Sequence, residues 1–556
     1  KIWLRKTPHR GRDGSTGIME SKKSEFSIYW KGLLAYGIFG LLQVVYRITS
    51  GMREAARMQK MLEEVPFAKG VEGNMAWLPQ RIKNAHRFHD WRVDTSLGMP
   101  VSKLLGSKFQ GTGYFLLVND PLLIRHFLKD NFEVYSKSEP SNNALSVYFN
   151  EFLGSGIFSV QHGVGAPDEG KSWMQMRKIS AQVFNRKNFN TLMQDVFVEK
   201  AQDLCNYLGQ SQGQAIDLQT CFFDFTMDSA MKIFFGEDSS ITKTGQPSKY
   251  GKAFDDAQLA FIRHAVPMVG IYSLLKVFVP WPLGGPNGKL RKLFDWSSSN
   301  YRHFRSAMRI LDRESSRLIR ECRADPKLQQ RRDLLALFIQ AEEGKGWSTR
   351  FLQDMSLNLI IAARDTTACA LSWMFWELAR NPEIQAKLCA EIDEKMPKGK
   401  PLDTKALGAS QMPYLNGVFY ETLRLWPPVP QDSKIAFSDD VLPDGTKVPK
   451  NTMLLFMPYV IGRDPQLYKD PLVFRPERWI PFEQPPPHEF PVFQAGPRIC
   501  LGMDMAIFEA KIVAVELLRK FHFDLVPGQE ITYGQKITMN IRNGDKEELL
   551  MTVQPR

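Results

Sequence analysis

The chain has 556 residues, 43% hydrophobic and 24% charged, enough apolar content to bury a large core, and length alone would allow several domains of ~100–200 residues. Its net charge is +12, but no basic run is interleaved with aromatics, so the surplus points to anionic lipid or an acidic redox partner and not to nucleic acid. Six widely spaced cysteines form no C-x-x-C pair, and the nine histidines show no H-E-x-x-H or Cys/His ligand spacing; neither structural disulfides nor a zinc site is expected.

Residues 1–26 are basic and polar, and they open on Lys1 and not Met, so a native N-terminus beyond them is expected. Ile28 to Val45, inside a candidate anchor at 27–50, is apolar except for Lys31 and Gln43; eighteen residues just cross a bilayer of ~30 Å, with an amphipathic or buried helix as the alternative. Flanking Lys22, Lys23, Arg47, Arg53 and Arg57 support an anchor without fixing its orientation, and the basic leader leaves plastid or mitochondrial targeting open. In the linker 51–76, Gly51 to Leu62 reads as a short helix ending near Pro66. Gly111 to Asn119 reads as a strand, and Asp120-Pro121 starts a helix through Phe127 and Leu128.

Trp173 and Arg177 stand four apart on one helical face, which places an indole and a guanidinium where a carboxylate would fit; a half-buried Trp beside a surface Arg is the alternative. Residues 190–350 have mostly helical periodicity. Ala265 to Gly285 is apolar with only Lys276 charged, but Pro267, Pro280 and Pro282 argue against one straight helix; it is expected to be an irregular apolar surface at the membrane, or core. Phe351 to Arg380 is a long helical pattern interrupted by Arg364-Asp365-Thr366-Thr367. Buried polar groups are costly unless used, and a mid-helix Thr bonds back to the carbonyl four residues earlier and bends the helix, which opens room for a small ligand and water. Glu421 and Arg424 pair at i,i+3, worth only a few tenths of a kcal/mol if exposed.

The stretch Phe493-Gln494-Ala495-Gly496-Pro497-Arg498-Ile499-Cys500-Leu501-Gly502 precedes a helical pattern through Met505, Ile512 and Leu518. A cysteine at a helix mouth is biased toward thiolate. Gly496 and Gly502 let backbone approach something large and flat, Arg498 offers a cation to an anionic group, and a soft thiolate on such a loop suits haem iron.

This stretch resembles the cysteine loop of the cytochromes P450, Phe-x-x-Gly-x-Arg-x-Cys-x-Gly, at every fixed position. The resemblance implies a mainly α fold: one large helical domain with small β-sheets over residues 77–556, behind an N-terminal membrane anchor. It implies haem b with Cys500 as the iron ligand, and Phe493, Gly496, Arg498 and Gly502 shaping the loop. Trp173, Arg177 and Lys434 would hold the haem propionates. Gly156-Ile157-Phe158 and the loop to Lys171 would lie over the haem. Ala362 to Thr367 resembles the oxygen-activation motif, with Thr366 hydrogen-bonding dioxygen and Asp365 gating protons; Ala363 departs, since the family usually has Gly there. Glu421, Arg424 and Arg478 would form a buried clamp behind the Cys500 loop.

The activity implied is monooxygenation with NADPH electrons. No flavin or dinucleotide pattern follows Cys500, so a separate NADPH–cytochrome P450 reductase, or cytochrome b5, is the expected partner, docking at Lys511 and Arg519. Gln431 to Lys434, Val441 to Gly445 and the Cys500 loop look like the fatty-acid ω-hydroxylase group, which implies a lipophilic substrate, membrane lipid contact and an endoplasmic-reticulum location with the catalytic domain cytosolic. Phe149, Phe152, Phe158 and Ala362 are candidate channel residues, each with plain core as the alternative. A lipid hydroperoxide isomerase or dehydratase on the same fold, a hydroxylase of another lipid (sterol, alkane or terpenoid), and a non-catalytic haem sensor are the competing readings. The Asp365-Thr366 pair argues against the first, and no signalling domain is visible to support the last.

Overall fold

The structure, a computed structural model, describes residues 41–42, 45–46, 49–50, 52–54, 56–70, 77–106, 114–137, 144–162, 171–183, 193–211, 213–245, 248–278, 289–341, 347–534 and 536–556. The basic segment 1–26 and most of the expected anchor lie outside them. Among the described residues no helix is long and apolar enough to cross a membrane.

The protein is mainly helical, and its largest apolar core is gathered around the helix Thr366–Arg380. Every residue from Thr367 to Leu378 is buried, so this helix is apolar all round and lies inside the core, not on its surface. Trp373 stacks on Trp426 at 4.1 Å, and its indole N–H donates to the Met539 carbonyl at 2.8 Å. Around it pack Leu218–Phe235, Pro413–Leu425 and Met503–Leu518. The long pattern expected over 351–380 is one continuous path with a defect: Thr349–Ile360, a widened π-helical turn at Ile361–Asp365, then Thr366–Arg380. Ser348 caps its start, accepting from the Phe351 amide at 3.1 Å.

A five-stranded sheet sits beside the helices in the order Val101–Gly106, Tyr114–Val118, Met453–Phe456, Asp432–Ala436, Tyr135–Ser136. Only the pairing of Tyr114–Val118 with Met453–Phe456 is parallel, Leu116 facing Leu454. Asp120 caps Pro121–Arg125 by accepting from the amides of Leu122 and Leu123, as the Asp-Pro pair predicts. A three-stranded sheet of Ala215–Asp217, Leu550–Pro555 and Phe521–Leu525 closes the C-terminal side.

The expectation for 265–285 is partly overturned. The helix Lys249–Phe278 continues past Pro267. Its packing on Ser299–Ala324 outweighs the one backbone hydrogen bond that proline removes. Residues 279–285 lie outside the described residues.

Candidate active site

The Cys500 loop is a hairpin of two tight turns, Pro491–Phe493 and Gly496–Arg498, closed by the Cys500 amide donating to the Phe493 carbonyl at 2.8 Å. Gly496 has φ +66°, and a Cβ there would collide with the Leu128 carbonyl. Its glycine is demanded by the neighbouring backbone. Gly502 has φ −93° and sits at the start of Met503–Leu518, so unlike Gly496 it carries no left-handed constraint. Gln494 is a non-glycine residue at φ +66°, held there while its amide donates to Asp432.

Cys500 keeps accessible surface, whereas the other five cysteines are buried. Protein nevertheless crowds it enough that desolvation dominates and pushes the thiol up; the Gly502 amide and the Arg177 guanidinium pull the other way. The expected bias to thiolate from the helix mouth alone is therefore overturned. A cation at the sulfur is what this environment requires to hold the anion.

Around the loop the structure brings the predicted cations together. Arg177 donates to the Ile499 carbonyl at 2.8 Å. Arg498 lies over the Trp173 ring at 4.5 Å and donates to the carbonyls of Val160 and Ile157 at 2.5 and 3.3 Å. Lys434 is buried 3.3 Å from Asp432, which Lys137 also contacts at 2.8 Å. Against burial, Lys137 and Lys434 hold Asp432 well below the usual carboxylate range. The cations pay the opposite cost: burial pushes Lys434 down to about 7, with Lys137 and Arg498 adding to it, and pushes Arg498 down to about 9. Among the described residues, Asp432 is the one carboxylate that ion-pairs with any of Arg177, Arg498, Lys434 and Lys137. This surplus of desolvated positive charge beside a reachable thiol fits a flat group that carries carboxylates and a thiophilic metal.

His162 was not predicted. It stacks on Phe132 at 3.7 Å, and its Nδ1 accepts from Arg498 Nε at 2.8 Å. Burial and Arg498 push it down to about 3, so it is the neutral acceptor that aims the guanidinium. Nothing local in the sequence marks it. The loop carrying it is pinned to the long helix: the amides of Ser155 and Phe158 donate to Asp354 at 2.9 Å and Asn358 at 3.1 Å, and Gly156 leaves room for the Asn358 side chain. Residues 163–170 of the loop expected to cover the haem lie outside the described residues.

At the widened turn, Thr366 Oγ1 donates to the Ala362 carbonyl at 2.6 Å, the bond expected from a mid-helix threonine. Asp365 is buried, its Oδ2 accepting from Gln258 at 2.7 Å and its Oδ1 lying 3.2 Å from Arg364; burial pushes its carboxyl up while Arg364 opposes. Gln258 was also missed, because its helix is more than a hundred residues away in sequence.

Glu421, Arg424 and Arg478 meet as expected. Arg424 grips Glu421 with two hydrogen bonds at 2.7 and 2.9 Å, and Arg478 Nε lies 3.3 Å away. Trp479 Nε1 and the Arg475 amide also donate to Glu421, both at 2.9 Å. Phe490, one residue before the Cys500 hairpin, packs on Trp479 at 5.4 Å, which links the clamp to the loop.

Two expectations fail. Lys511 and Arg519 are buried, Lys511 bonded to Asn416 at 2.8 Å and Arg519 to the carbonyls of Pro397 and Lys400, so neither offers a docking surface. Phe152 is fully buried and stacked on Phe261 at 5.2 Å, a core residue and not a channel wall. Phe158 is 41% exposed. Phe149 and Ala362 are half-buried.

A reachable thiol at a helix mouth, buried cations around it and an acid–alcohol pair in a widened helical turn define a haem-thiolate enzyme. Residues 105–543 match the family described as Cytochrome P450, and the chain belongs to that family. Among its relatives is cytochrome P450 704C1 of Pinus taeda, 32% identical over 508 residues, covering 85% of this chain and 90% of that protein. Cytochrome P450 94A1 of Vicia sativa is 30% identical over 458 residues, 79% of this chain and 81% of that protein. A crystal structure of the cytochrome P450DA heme domain shares the fold, with TM-score 0.68 at 18% identity, covering 88% of this chain and 98% of that one.

Proposed function

We propose that the protein hydroxylates a long-chain apolar substrate, a fatty acid at or near its terminal carbon, by R–H + O₂ + NADPH + H⁺ → R–OH + H₂O + NADP⁺, with electrons from a separate NADPH–cytochrome P450 reductase. The observation that carries monooxygenation is the Thr366 hydroxyl at the widened turn beside the buried Asp365, whose carboxyl burial pushes up. An isomerase of hydroperoxides needs no proton supply and has no use for this pair. The fatty-acid reading rests on the resemblance of residues 431–434, 441–445 and 495–502 to the ω-hydroxylase group.

Cys500 would ligate the iron of a haem b, and Arg177, Arg498, Lys434 and Trp173 would hold its carboxylates. When bound, the haem supplies the one-electron and dioxygen chemistry that no side chain can. The chain's own part is to exclude bulk water from the site, to keep the thiol's position fixed through the Phe493–Cys500 hydrogen bond, and to present the Asp365 carboxyl, pushed up by burial, next to the Thr366 hydroxyl. The enzyme would work at the endoplasmic-reticulum membrane, where lipophilic substrate and reductase meet.

The test is reconstitution with reductase, NADPH and a panel of medium- to long-chain fatty acids, with products resolved by mass spectrometry. Hydroxylation at the terminal carbons, dependent on NADPH and O₂, is the expected result. Conversion of lipid hydroperoxides without NADPH, and no hydroxylation with it, would overturn the reading.

A further inference from the structure

The helix Phe88–Ser96 encloses two polar side chains without satisfying them. Arg92 is 3% exposed and its Nε and Nη1 have no partner; His89, one turn earlier on the same face, is 6% exposed with Nδ1 unpartnered. The acids of the same helix are already taken. Asp90 accepts from Tyr459 at 2.7 Å and from Tyr533 at 3.0 Å, and Asp94 pairs with Arg87 at 2.6 Å. Around Arg92 the structure places rings: its guanidinium lies over Trp91 at 4.4 Å and Phe88 at 5.1 Å, and Arg81 meets the same Phe88 ring at 5.8 Å. Burial pushes Arg92 down to about 9, and Arg81 pushes the same way; no acid opposes them among the described residues. Ring faces soften a buried charge without neutralising it. Water would give the N–H groups acceptors and still leave two cations facing each other, so the group that completes this cluster is an anion.

We propose that Arg92, Arg81 and His89 form a binding site for a phosphate monoester, presented by the headgroup of an anionic membrane lipid. Two guanidiniums match the charge of such a group near pH 7, and arginine's planar fork suits its oxygens. His89, kept neutral by burial and by Arg463 and Arg92, adds one N–H donor. Arg81 is half-buried and forms the rim of the site, while Arg92 forms its floor. The place of the site on the molecule supports a lipid source. The linker that follows the expected anchor runs along this helix: the Lys69 amide donates to the Thr95 carbonyl at 2.8 Å, and Ala68 shares a buried cluster with Trp91. One residue past Arg81, Ile82 is 68% exposed beside the exposed Lys83, an apolar side chain and a cation together, as the boundary of acyl chains and headgroups accepts. A headgroup held there would tie Phe88–Ser96 to the membrane surface. The phosphate site stands on these contacts alone; its lipid source rests on the membrane location proposed above.

The experiment uses the haem-loaded full chain and the variants Arg92→Gln, Arg81→Gln and Lys83→Gln, each checked for folding by its reduced carbonyl spectrum. Inorganic phosphate should raise the unfolding midpoint of the wild type, and sodium chloride at the same ionic strength should not. The apparent Kd for phosphate should weaken about tenfold or more in Arg92→Gln, the scale of one charge-assisted hydrogen bond, and should stay unchanged in Lys83→Gln. Should Arg92→Gln fail to fold, Arg81→Gln at the rim decides the same question. In flotation, the wild type should bind vesicles of phosphatidylcholine with phosphatidic acid better than phosphatidylcholine alone, and Arg92→Gln and Arg81→Gln should lose that increment. No stabilisation by phosphate, an equal loss in Lys83→Gln, or stabilisation by laurate and none by phosphate would overturn the site. Stabilisation by phosphate with no phosphatidic-acid increment would overturn the lipid as its ligand. A wild type that floats with neither vesicle would overturn the membrane location instead, and the lipid ligand with it.

Discussion

Lys434 shows how one residue's chemistry reports on the whole site. It is buried, and its value falls from the ordinary 10.5 to about 7. A base depressed in the folded state binds fewer protons there than when unfolded, so stability rises with pH across the window from about 7 to 10.5. Carboxylates arriving beside it restore the charged form and remove that slope. The haem-free protein should therefore gain thermal stability between pH 7 and 9, and the haem-loaded protein should gain much less; calorimetry of both forms checks it. Equal slopes would mean that Lys434 does not meet the haem carboxylates. Arg498 and Trp173 were legible because their spacing to Cys500 and Arg177 is local. His162 and Asp432 were not, since the contacts that matter to them, with Arg498 and with Lys137 and Gln494, span long sequence separations.

At the scale of the element, the interruption Ala362 to Thr367 was readable as a defect in an apolar helix, and the structure resolves it as one widened turn locked by Thr366. What could not be read was where its charges go, because Gln258 and Asp255 belong to another helix. Pro267 misled for the complementary reason: a local breaker was outvoted by the packing of its helix on Ser299–Ala324. The hydroxyl and the fold can be separated by Thr366→Val, which keeps the β-branched shape and removes the donor. NADPH oxidation should continue while hydroxylated product falls by about tenfold or more and peroxide appears. Product yield equal to wild type would remove Thr366 from the proton path.

For the molecule as a whole, we propose that the Glu421 clamp holds the Cys500 loop in working form, through Trp479 and Phe490. Arg424 is buried and also donates to the carbonyls of Gly462 and Pro471. Glu421→Gln would leave two guanidiniums without a counter-charge, at a cost of about 3–5 kcal/mol. The expected outcome is a lower unfolding midpoint and poor haem retention with little change in the turnover of the molecules that keep haem. A proportional loss of turnover per haem would assign Glu421 a chemical role instead. Lys511 and Arg519 teach the limit at this scale: basic residues on a C-terminal helix looked like a docking face, and both are satisfied inside the core.

The account depends on Cys500 as the thiolate that holds the iron, and the reduced carbonyl difference spectrum tests it most directly. Wild-type protein should give the red-shifted Soret band of a thiolate-ligated ferrous carbonyl, and Cys500→Ser should lose that band together with NADPH-dependent hydroxylation. A Cys500→Ser protein that keeps both would contradict the site, the family chemistry assigned to it and the proposed reaction alike.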